Sequence, residues 1–304
     1  MDNVTDETHE ILKKVRQIEI RTRRMVTDSM SGAYHSAFKG QGMDFEEVRE
    51  YAPGDDIRSI DWNVSARMDN PFIKVFREER ELTIMLIVDI SASGIFGSEE
   101  KSKREITAEI ASVLAFSATK NNDKVGLLLY SDQVEKFVYP KKGSQHILRL
   151  VRDILFFKPE SKGTDLTKAL NHMNKLLKRK SIVFLISDFL STDDSSSNAT
   201  ATLKALNLTN KRHDLSCIAL SDAHEHSLPN VGIVTLEDAE TGESVEIDTS
   251  SAKMRKLYKI SNLKRVGTLK QDLQKRGIDF LEISTNKPYI VPLRNYFARR
   301  ARKL

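Results

Sequence analysis

The succession of apolar runs and amphipathic stretches along the chain predicts an α/β protein. Residues 84–88 form an uninterrupted apolar run that ends in polar residues and a glycine, which is typical of a strand buried on both faces. Similar runs cover residues 181–188 and 215–220. Helical spacing between the runs, clearest over residues 99–121, completes the pattern of a mainly parallel sheet flanked by helices.

An amphipathic helix over residues 5–26 is predicted before the sheet begins. Its apolar positions form a narrow aliphatic stripe: Ile11, Val15, Ile18, Thr22 and Met25. The opposite face is basic: Lys13, Lys14, Arg16, Arg23 and Arg24. A basic amphipathic helix could lie on an anionic membrane, but this stripe contains no aromatic residue. We therefore expect the helix to pack against the body of the protein.

The first apolar run leads into an Asp-x-Ser-x-Ser sequence made of Asp89, Ser91 and Ser93. In open α/β sheets, ligands bind outside the carboxyl ends of the strands, so this sequence is a candidate site. Its oxygen donors suit Mg²⁺ or Mn²⁺ and are poor ligands for zinc or copper. One carboxylate cannot complete an octahedral shell, and Thr164 and Asp188 are the expected further donors. Taken singly, each residue is explained equally well as a helix cap.

Length and composition describe an ordinary protein without a membrane span. The 304 residues allow about two domains, or one large α/β domain with an appendage. Hydrophobic residues make up 39% and charged residues 30%, and no apolar run approaches the length of a membrane span. Residues 1–30 are charged throughout, so no secretory signal is expected. The single cysteine, Cys217, is expected to be a buried hydrophobe in a reducing cytoplasm.

Positive charge is concentrated near the end of the chain. Residues 251–304 contain 15 Lys and Arg against 3 Asp and Glu. Such a region could bind nucleic acid, but few aromatic residues lie near the charges, namely Tyr289, Tyr296 and Phe297. We therefore favour a protein partner, or the acidic body of another copy, over nucleic acid.

Residues 40–67 are dense in Gly, Pro, Asp and Arg and contain the single tryptophan, Trp62. Gly40 and Gly42 do not indicate a nucleotide-binding loop, because no strand precedes them and no Gly-Lys-Ser/Thr follows. We expect a network of ion pairs with Trp62 as its apolar plug. Its expected members are Arg49, Asp55, Arg58, Asp61 and Arg67. Further along the chain, the polar residues 191–198 are expected to form a surface loop.

The motif Gly-x-Gly-x-x-Phe-x-x-Val-Arg-x-Tyr-x-x-Gly-Asp-x-x-Arg-x-Ile-Asp-Trp-x-x-Ser-Ala-Arg within residues 40–67 resembles the bacterial family called domain of unknown function 58. The five oxygen-bearing side chains resemble the metal-ion-dependent adhesion site (MIDAS) of von Willebrand factor type A domains. The resemblance implies a von Willebrand factor type A-like (Rossmann-like) domain over residues 81–285. A family-specific N-terminal extension, residues 1–80, would precede it, and a basic C-terminal helix, residues 286–304, would follow.

The resemblance also implies a function. In such sites the residues matching Ser91, Ser93 and Thr164, or a subset of them together with water, ligate the ion. Those matching Asp89 and Asp188 act directly or through water, and a partner's carboxylate usually completes the shell. Members of the family are often encoded beside MoxR-type AAA ATPases. We therefore expect a non-enzymatic, metal-dependent protein-binding module that works with such an ATPase or its client in assembly or maturation of a complex.

Two alternatives remain open at this point. One is a metal-dependent hydrolase or phosphatase with Asp89 as nucleophile, although position 91 holds a serine where an aspartyl-phosphate enzyme would want a second carboxylate. The other is nucleic-acid binding through the basic C-terminal region. No catalytic residue is expected in the leading interpretation.

Overall fold

The computed structural model describes residues 2–26, 28–38, 43–68, 70–78, 81–95, 101–161, 163–190, 196–222, 225, 227–237, 242 and 244–302. The described strands are β1 (Met43–Glu50), β2 (Phe72–Glu78), β3 (Thr83–Asp89), β4 (Lys124–Tyr130), β5 (Val134–Lys141), β6 (Ile182–Ser187), β7 (Asp214–Ser221), β8 (Ile233–Glu237), β9 (Ser244–Asp248) and β10 (Asp279–Ser284). The described α-helices are α1 (Asp2–Met25), α2 (Asp28–Phe38), α3 (Trp62–Met68), α4 (Lys103–Lys120), α5 (Ser144–Phe156), α6 (Leu166–Leu176), α7 (Ser196–Arg212), α8 (Ala252–Lys275) and α9 (Ile290–Ala301).

A six-stranded sheet in the order β10-β7-β6-β3-β4-β5 organises the fold. Each neighbouring pair is parallel except β4 and β5, which are antiparallel. When the six strands of this sheet are numbered along the chain, their order is 6-5-4-1-2-3, which is that of a Rossmann-like sheet. The third of them, β5, is an antiparallel edge strand. The prediction of an α/β, von Willebrand factor type A-like fold with preceding N-terminal helices is therefore confirmed. The parallel register brings the carboxyl ends of β3, β4 and β6 to one edge.

The sheet separates two hydrophobic cores, which explains why the β3 run is continuously apolar. Its side chains alternate between the two faces. Ile84, Leu86 and Val88 pack in the core that includes side chains of α1, α2, α4, α5 and α9. Met85 and Ile87 pack in the core that includes side chains of α6, α7 and α8. A strand covered on both faces favours apolar side chains along its whole length.

The α1 helix packs on the body of the protein, as predicted. Val15, Ile18 and Thr22 of its stripe are buried, whereas the basic face is exposed. Arg21 of α1 forms an ion pair with Glu109 of α4 at 3.0 Å. None of the described helices is both long and apolar enough to cross a membrane.

The first and last segments of the chain share a core with the central segment. Tyr34 and Phe38 of α2 are fully buried, and both form edge-on contacts with Phe297 of α9. Phe38 also meets Phe184 of β6, with ring centroids 5.9 Å apart. The division at residues 80 and 286 stays a prediction about folding units, but aromatic packing crosses both boundaries.

The amino-terminal edge of the sheet contains a buried carboxylate, Asp123. One of its oxygens accepts a hydrogen bond from the Leu82 backbone N–H at 2.9 Å, and the other accepts one from the Tyr34 hydroxyl at 3.1 Å. Burial raises the pKa of Asp123 to about 6 against the opposing effect of these hydrogen bonds. This carboxylate therefore attaches α2 to the base of the sheet.

The predicted network in residues 40–67 is smaller than expected. Arg49 and Asp55 form a bidentate pair at 2.9 and 2.7 Å, and Asp61 pairs with Lys74 at 3.3 Å. The prediction that Trp62 plugs this segment is wrong, because its side chain is 69% exposed. Trp62 is the first residue of α3, a short helix with no buried residue, so its indole is not enclosed by this helix.

Candidate metal centre

The Asp89 carboxylate lies at the carboxyl end of β3, a central strand of the sheet. One oxygen accepts a hydrogen bond from the backbone N–H of Ser91 at 3.0 Å. The other accepts hydrogen bonds from the Ser187 hydroxyl at 2.8 Å and the Tyr130 hydroxyl at 3.3 Å. Ser187 and Tyr130 are the last residues of β6 and β4, so both neighbouring strands orient this carboxylate.

The charge on Asp89 is poorly compensated. Burial, and then the negative charge of nearby Asp188, raise the pKa of Asp89 to about 6, although the hydrogen bonds from Ser91 and Ser187 oppose this. No Lys or Arg within the described ranges forms an ion pair with Asp89. A cation placed beside both carboxylates would relieve their repulsion.

Ser91 and Ser93 place two hydroxyls beside this carboxylate. Their Oγ atoms are 3.1 Å apart, and Ser91 is buried. A short 3₁₀-helix, Ala92–Ile95, holds the loop, with the Gly94 N–H donating to the Ser91 carbonyl at 3.1 Å. A Cβ atom added at Gly94 would meet nothing closer than the Asp89 carbonyl at 4.0 Å, so packing does not require a glycine there.

Asp188 is held by a buried lysine that the sequence interpretation missed. The Lys103 ammonium lies 2.9 Å from Asp188 and also forms an ion pair with Glu225. Burial alone would lower the pKa of Lys103, but the two carboxylates outweigh it and raise that pKa. The other Asp188 oxygen accepts a hydrogen bond from the Leu190 N–H at 3.1 Å. A lysine in the first turn of a helix gives no sequence signal of this role.

Thr164 lies at the same edge of the sheet. The next residue, Asp165, donates its N–H to the carbonyl of Ser131 at 2.8 Å, and Ser131 follows Tyr130, whose Cα pairs with that of Asp89. The cap of α6 is Asp165, whose side chain accepts from the Lys168 N–H at 3.0 Å. Asp165 therefore caps the helix, and capping does not explain the presence of Thr164.

The donor chemistry at this edge fits a hard divalent cation. Within the part of the chain that the structure describes, no group of three His, Cys, Asp or Glu side chains could hold a metal by itself. A cation here would depend on two carboxylates together with hydroxyls, which suits Mg²⁺ or Mn²⁺ rather than zinc. Whether Asp89, Ser91, Ser93, Thr164 and Asp188 ligate one ion stays a prediction.

The aromatic residues near the C-terminal charges are not available for base stacking. Tyr289, Tyr296 and Phe297 are 9%, 3% and 0% exposed. Arg300 of α9 is itself engaged in ion pairs with Asp214 and Asp279. The aromatic residues considered for nucleic-acid binding are therefore part of the core.

The strand order and the polar carboxyl edge define an α/β protein of the von Willebrand factor type A-like class. The chain matches the family described as protein of unknown function DUF58 over residues 47–266, and it belongs to that family. An uncharacterized protein of Mycobacterium tuberculosis is 26% identical over 290 residues, which cover 95% of this chain and 89% of that protein. The uncharacterized protein YeaD of Bacillus subtilis is 32% identical over 108 residues, 35% of this chain and 25% of YeaD.

Solved structures with a similar arrangement are more distant. BatB from Bacteroides thetaiotaomicron is 15% identical, with 73% of this chain and 99% of that chain covered and a TM-score of 0.45. The SpRpn10 VWA domain is 12% identical, with 71% and 94% covered and a TM-score of 0.37. The fold assignment accordingly rests on the strand order described above.

Proposed function

We propose that this protein is a divalent-metal-dependent protein-binding module rather than an enzyme. The observation that supports this most directly is the pair of neighbouring carboxylates, Asp89 and Asp188, at the carboxyl edge of the sheet. Asp188 forms an ion pair with Lys103, whereas Asp89 has a raised pKa and lies beside the hydroxyls of Ser91 and Ser93. This asymmetry leaves one carboxylate in need of a positive charge.

Ser91, Ser93 and Thr164 would hold Mg²⁺ or Mn²⁺ through their hydroxyls, with Asp89 and Asp188 acting directly or through water. The bound ion would supply positive charge for an incoming carboxylate. The chain's own residues prepare the site: Ser187 and Tyr130 orient Asp89, and Lys103 limits the negative charge contributed by Asp188. Limited negative charge favours a module that still needs an acidic group from its partner.

The proposed partner is a protein that presents an acidic side chain. The family resemblance points to a MoxR-type AAA ATPase or its client, in the assembly or maturation of a protein complex. We place this activity in the cytoplasm, because the single cysteine, Cys217, is free and buried, as is typical of a reducing compartment.

Titration with Mg²⁺ alone tests the metal site before any partner is known. Isothermal calorimetry and thermal unfolding of the full chain should show binding and a rise in Tm, since a ligand that binds only the folded state at 100 times its Kd stabilises it by about 2.7 kcal/mol. Asp89→Asn and Thr164→Val should each lose this response. Asp123→Asn is the matched control, because Asp123 is a buried carboxylate at the opposite edge. Equal Mg²⁺ stabilisation of all four proteins would refute the metal site.

Partner binding is tested with a purified MoxR-type AAA ATPase. Capture of the ATPase should require Mg²⁺, disappear with a chelator, and fail with Asp89→Asn while persisting with Asp123→Asn. Capture that survives the chelator would show that the interaction does not use this site.

A second candidate, a metal-dependent phosphatase with Asp89 as nucleophile, is favoured by one observation. Lys103 places a buried ammonium next to Asp188, where it could balance phosphate charge. Its engagement by both Asp188 and Glu225 makes it less available for a substrate. Mg²⁺-dependent turnover of p-nitrophenyl phosphate that is lost in Asp89→Asn would establish this candidate instead.

A further inference from the structure

Lys103 is a buried lysine that is shared between two carboxylates at the carboxyl edge of the sheet. It is 2% exposed, and its ammonium lies 2.9 Å from an Asp188 oxygen and also pairs with Glu225. Burial lowers the pKa of Lys103, but the two carboxylates raise it by more, so the side chain remains positively charged. One positive charge is therefore divided between two negative charges beside the candidate metal centre.

Helix formation does not explain a lysine at this position. Lys103 is the first residue of α4, and Ser102 caps the helix by accepting a hydrogen bond from the Glu105 N–H at 3.2 Å. The positive end of the helix dipole lies at this terminus and disfavours a cation there. The two carboxylates offset this effect, so the position of Lys103 follows from Asp188 and Glu225 rather than from the helix.

Glu225 is held in place by both its side chain and its backbone. The carboxylate oxygen that does not face Lys103 accepts a hydrogen bond from the Asp222 N–H at 3.1 Å. The Glu225 carbonyl accepts a hydrogen bond from the Asn262 side chain of α8 at 2.7 Å. Because the side chain is only 17% exposed and is anchored at two points, Glu225 is a fixed counter-charge of Lys103.

Asp188 connects this cluster to the candidate metal centre. Its Oδ2 atom faces Lys103, and its Oδ1 atom accepts a hydrogen bond from the Leu190 N–H. Burial, and then the negative charge of Asp188, raise the pKa of Asp89, so the two aspartates interact. A positive charge beside Asp188 reduces the attraction that a cation between the two aspartates would meet. Lys103 therefore opposes a divalent cation, whereas Glu225 favours one by attracting the lysine.

We propose that Lys103 and Glu225 set the Mg²⁺ affinity of the metal centre without being ligands of the ion. Lys103 is a resident positive charge that weakens Mg²⁺ binding, and Glu225 limits this effect by sharing the lysine with Asp188. The inference rests on the proposed function, because it concerns the same ion. It adds the residues that keep the ion weakly held until a partner's carboxylate joins the site.

Calorimetric titration of the full chain with Mg²⁺ alone tests this arrangement by the direction of two changes. Lys103→Met should lower the Mg²⁺ Kd about tenfold, because a positive charge next to Asp188 is removed. Glu225→Gln should raise the Kd about threefold, because Lys103 then pairs with Asp188 alone. Both substitutions break the same ion pair. A merely structural role would therefore shift the Kd of both variants in one direction, or not at all.

Lys101→Met is the matched control, since Lys101 lies just before α4 but pairs with Glu109 instead. Its Mg²⁺ Kd should stay within about twofold of that of the wild type. The double variant, Lys103→Met with Glu225→Gln, leaves fewer buried carboxylates without a cation and keeps the test open if Lys103→Met alone does not fold. It should bind Mg²⁺ about tenfold more tightly than Glu225→Gln, because only the lysine differs between them.

The same titrations separate failure of this inference from failure of the metal centre. A wild-type protein that does not bind Mg²⁺ would refute the metal centre, and this inference with it. A wild-type protein that binds Mg²⁺, with Lys103→Met and Glu225→Gln unchanged in Kd or shifted in the same direction, would overturn only the role given to Lys103 and Glu225.

Discussion

Asp89 and Asp123 are buried carboxylates at opposite edges of the same sheet. Both have a raised pKa, but they differ in the charges around them. Burial raises the pKa of each to about 6. Each oxygen of Asp123 accepts a hydrogen bond, from Leu82 and Tyr34, and these contacts attach a helix to the base of the sheet. Asp89 also accepts hydrogen bonds, but it faces the further negative charge of Asp188.

The difference shows that a raised pKa does not by itself mark a functional site. Desolvation accounts for the shift at Asp123, where the carboxylate serves packing. At Asp89 a second anion adds to desolvation, and the nearby lysine, Lys103, pairs with that second anion. Two like charges held close together without a full set of counter-charges destabilise the folded state. A ligand of opposite charge that binds there offsets this destabilisation.

The largest expected loss of stability comes from removing the lysine that pairs with two carboxylates at the carboxyl edge of the sheet. Lys103→Met removes a buried ammonium and leaves Asp188 and Glu225 without their cation, so the free energy of unfolding should fall by about 3–5 kcal/mol. Urea titration measures it. Lys14→Met removes an exposed lysine that pairs with Glu105 at 3.2 Å, and should cost less than about 1 kcal/mol. Equal losses of stability in the two variants would show that the ion pairs of Lys103 with Asp188 and Glu225 contribute no more than an exposed pair.

A smaller loss is expected at the opposite edge. Asp123→Ala leaves two buried donors, the Leu82 N–H and the Tyr34 hydroxyl, without an acceptor and should lower the free energy of unfolding by about 2–3 kcal/mol. The Mg²⁺ response should remain. If Asp123→Ala removed Mg²⁺ binding without unfolding the protein, the separation of the two edges would be wrong.

Acid titration of stability distinguishes the two carboxylates by their response to metal, because both have a raised pKa. A carboxyl group whose pKa is higher in the folded state binds more protons there, so stability should fall as pH rises from about 4 to about 6 and change little above that. Each unit of pKa difference corresponds to about 1.4 kcal/mol. Asp89→Asn should make this slope shallower, with the contribution of Asp123 remaining, and should stabilise the metal-free protein at neutral pH. Saturating Mg²⁺ should reduce the slope in the wild type but not in Asp89→Asn. A slope unchanged by Asp89→Asn would contradict the raised pKa.

The smallest effect concerns a single hydrogen bond at the amino-terminal edge. Tyr34→Phe removes the hydroxyl that donates to Asp123 but retains the ring that packs on Phe38 and Phe297. The free energy of unfolding should fall by about 1 kcal/mol. Chemical denaturation measures the loss, and a loss as large as that of Asp123→Ala would mean that the Leu82 contact contributes nothing.

Local sequence patterns were sufficient for the sheet but not for every helix. The strands with polar ends were predictable because both faces of β3, β6 and β7 are covered, which favours largely apolar runs. The α7 helix was not predicted, and residues 196–198, expected in a loop, form its first turn, whereas residues 191–195 lie outside the described residues. Its sequence is rich in Ser, Thr and Asn, and few of its side chains, such as Leu206, enter the core, so its apolar period is weak.

By itself, the sequence determined the class of fold, the edge of the sheet on which polar residues gather, and the chemistry of those residues, because strand period and strand ends are local properties of a chain. Only the tertiary structure decided which charges meet. Lys103 and Asp188 are 85 positions apart along the chain and 2.9 Å apart in space. Trp62 is exposed for a similar reason, since the burial of a side chain depends on which distant segments pack against it. Long-range packing, which no local pattern contains, sets both outcomes.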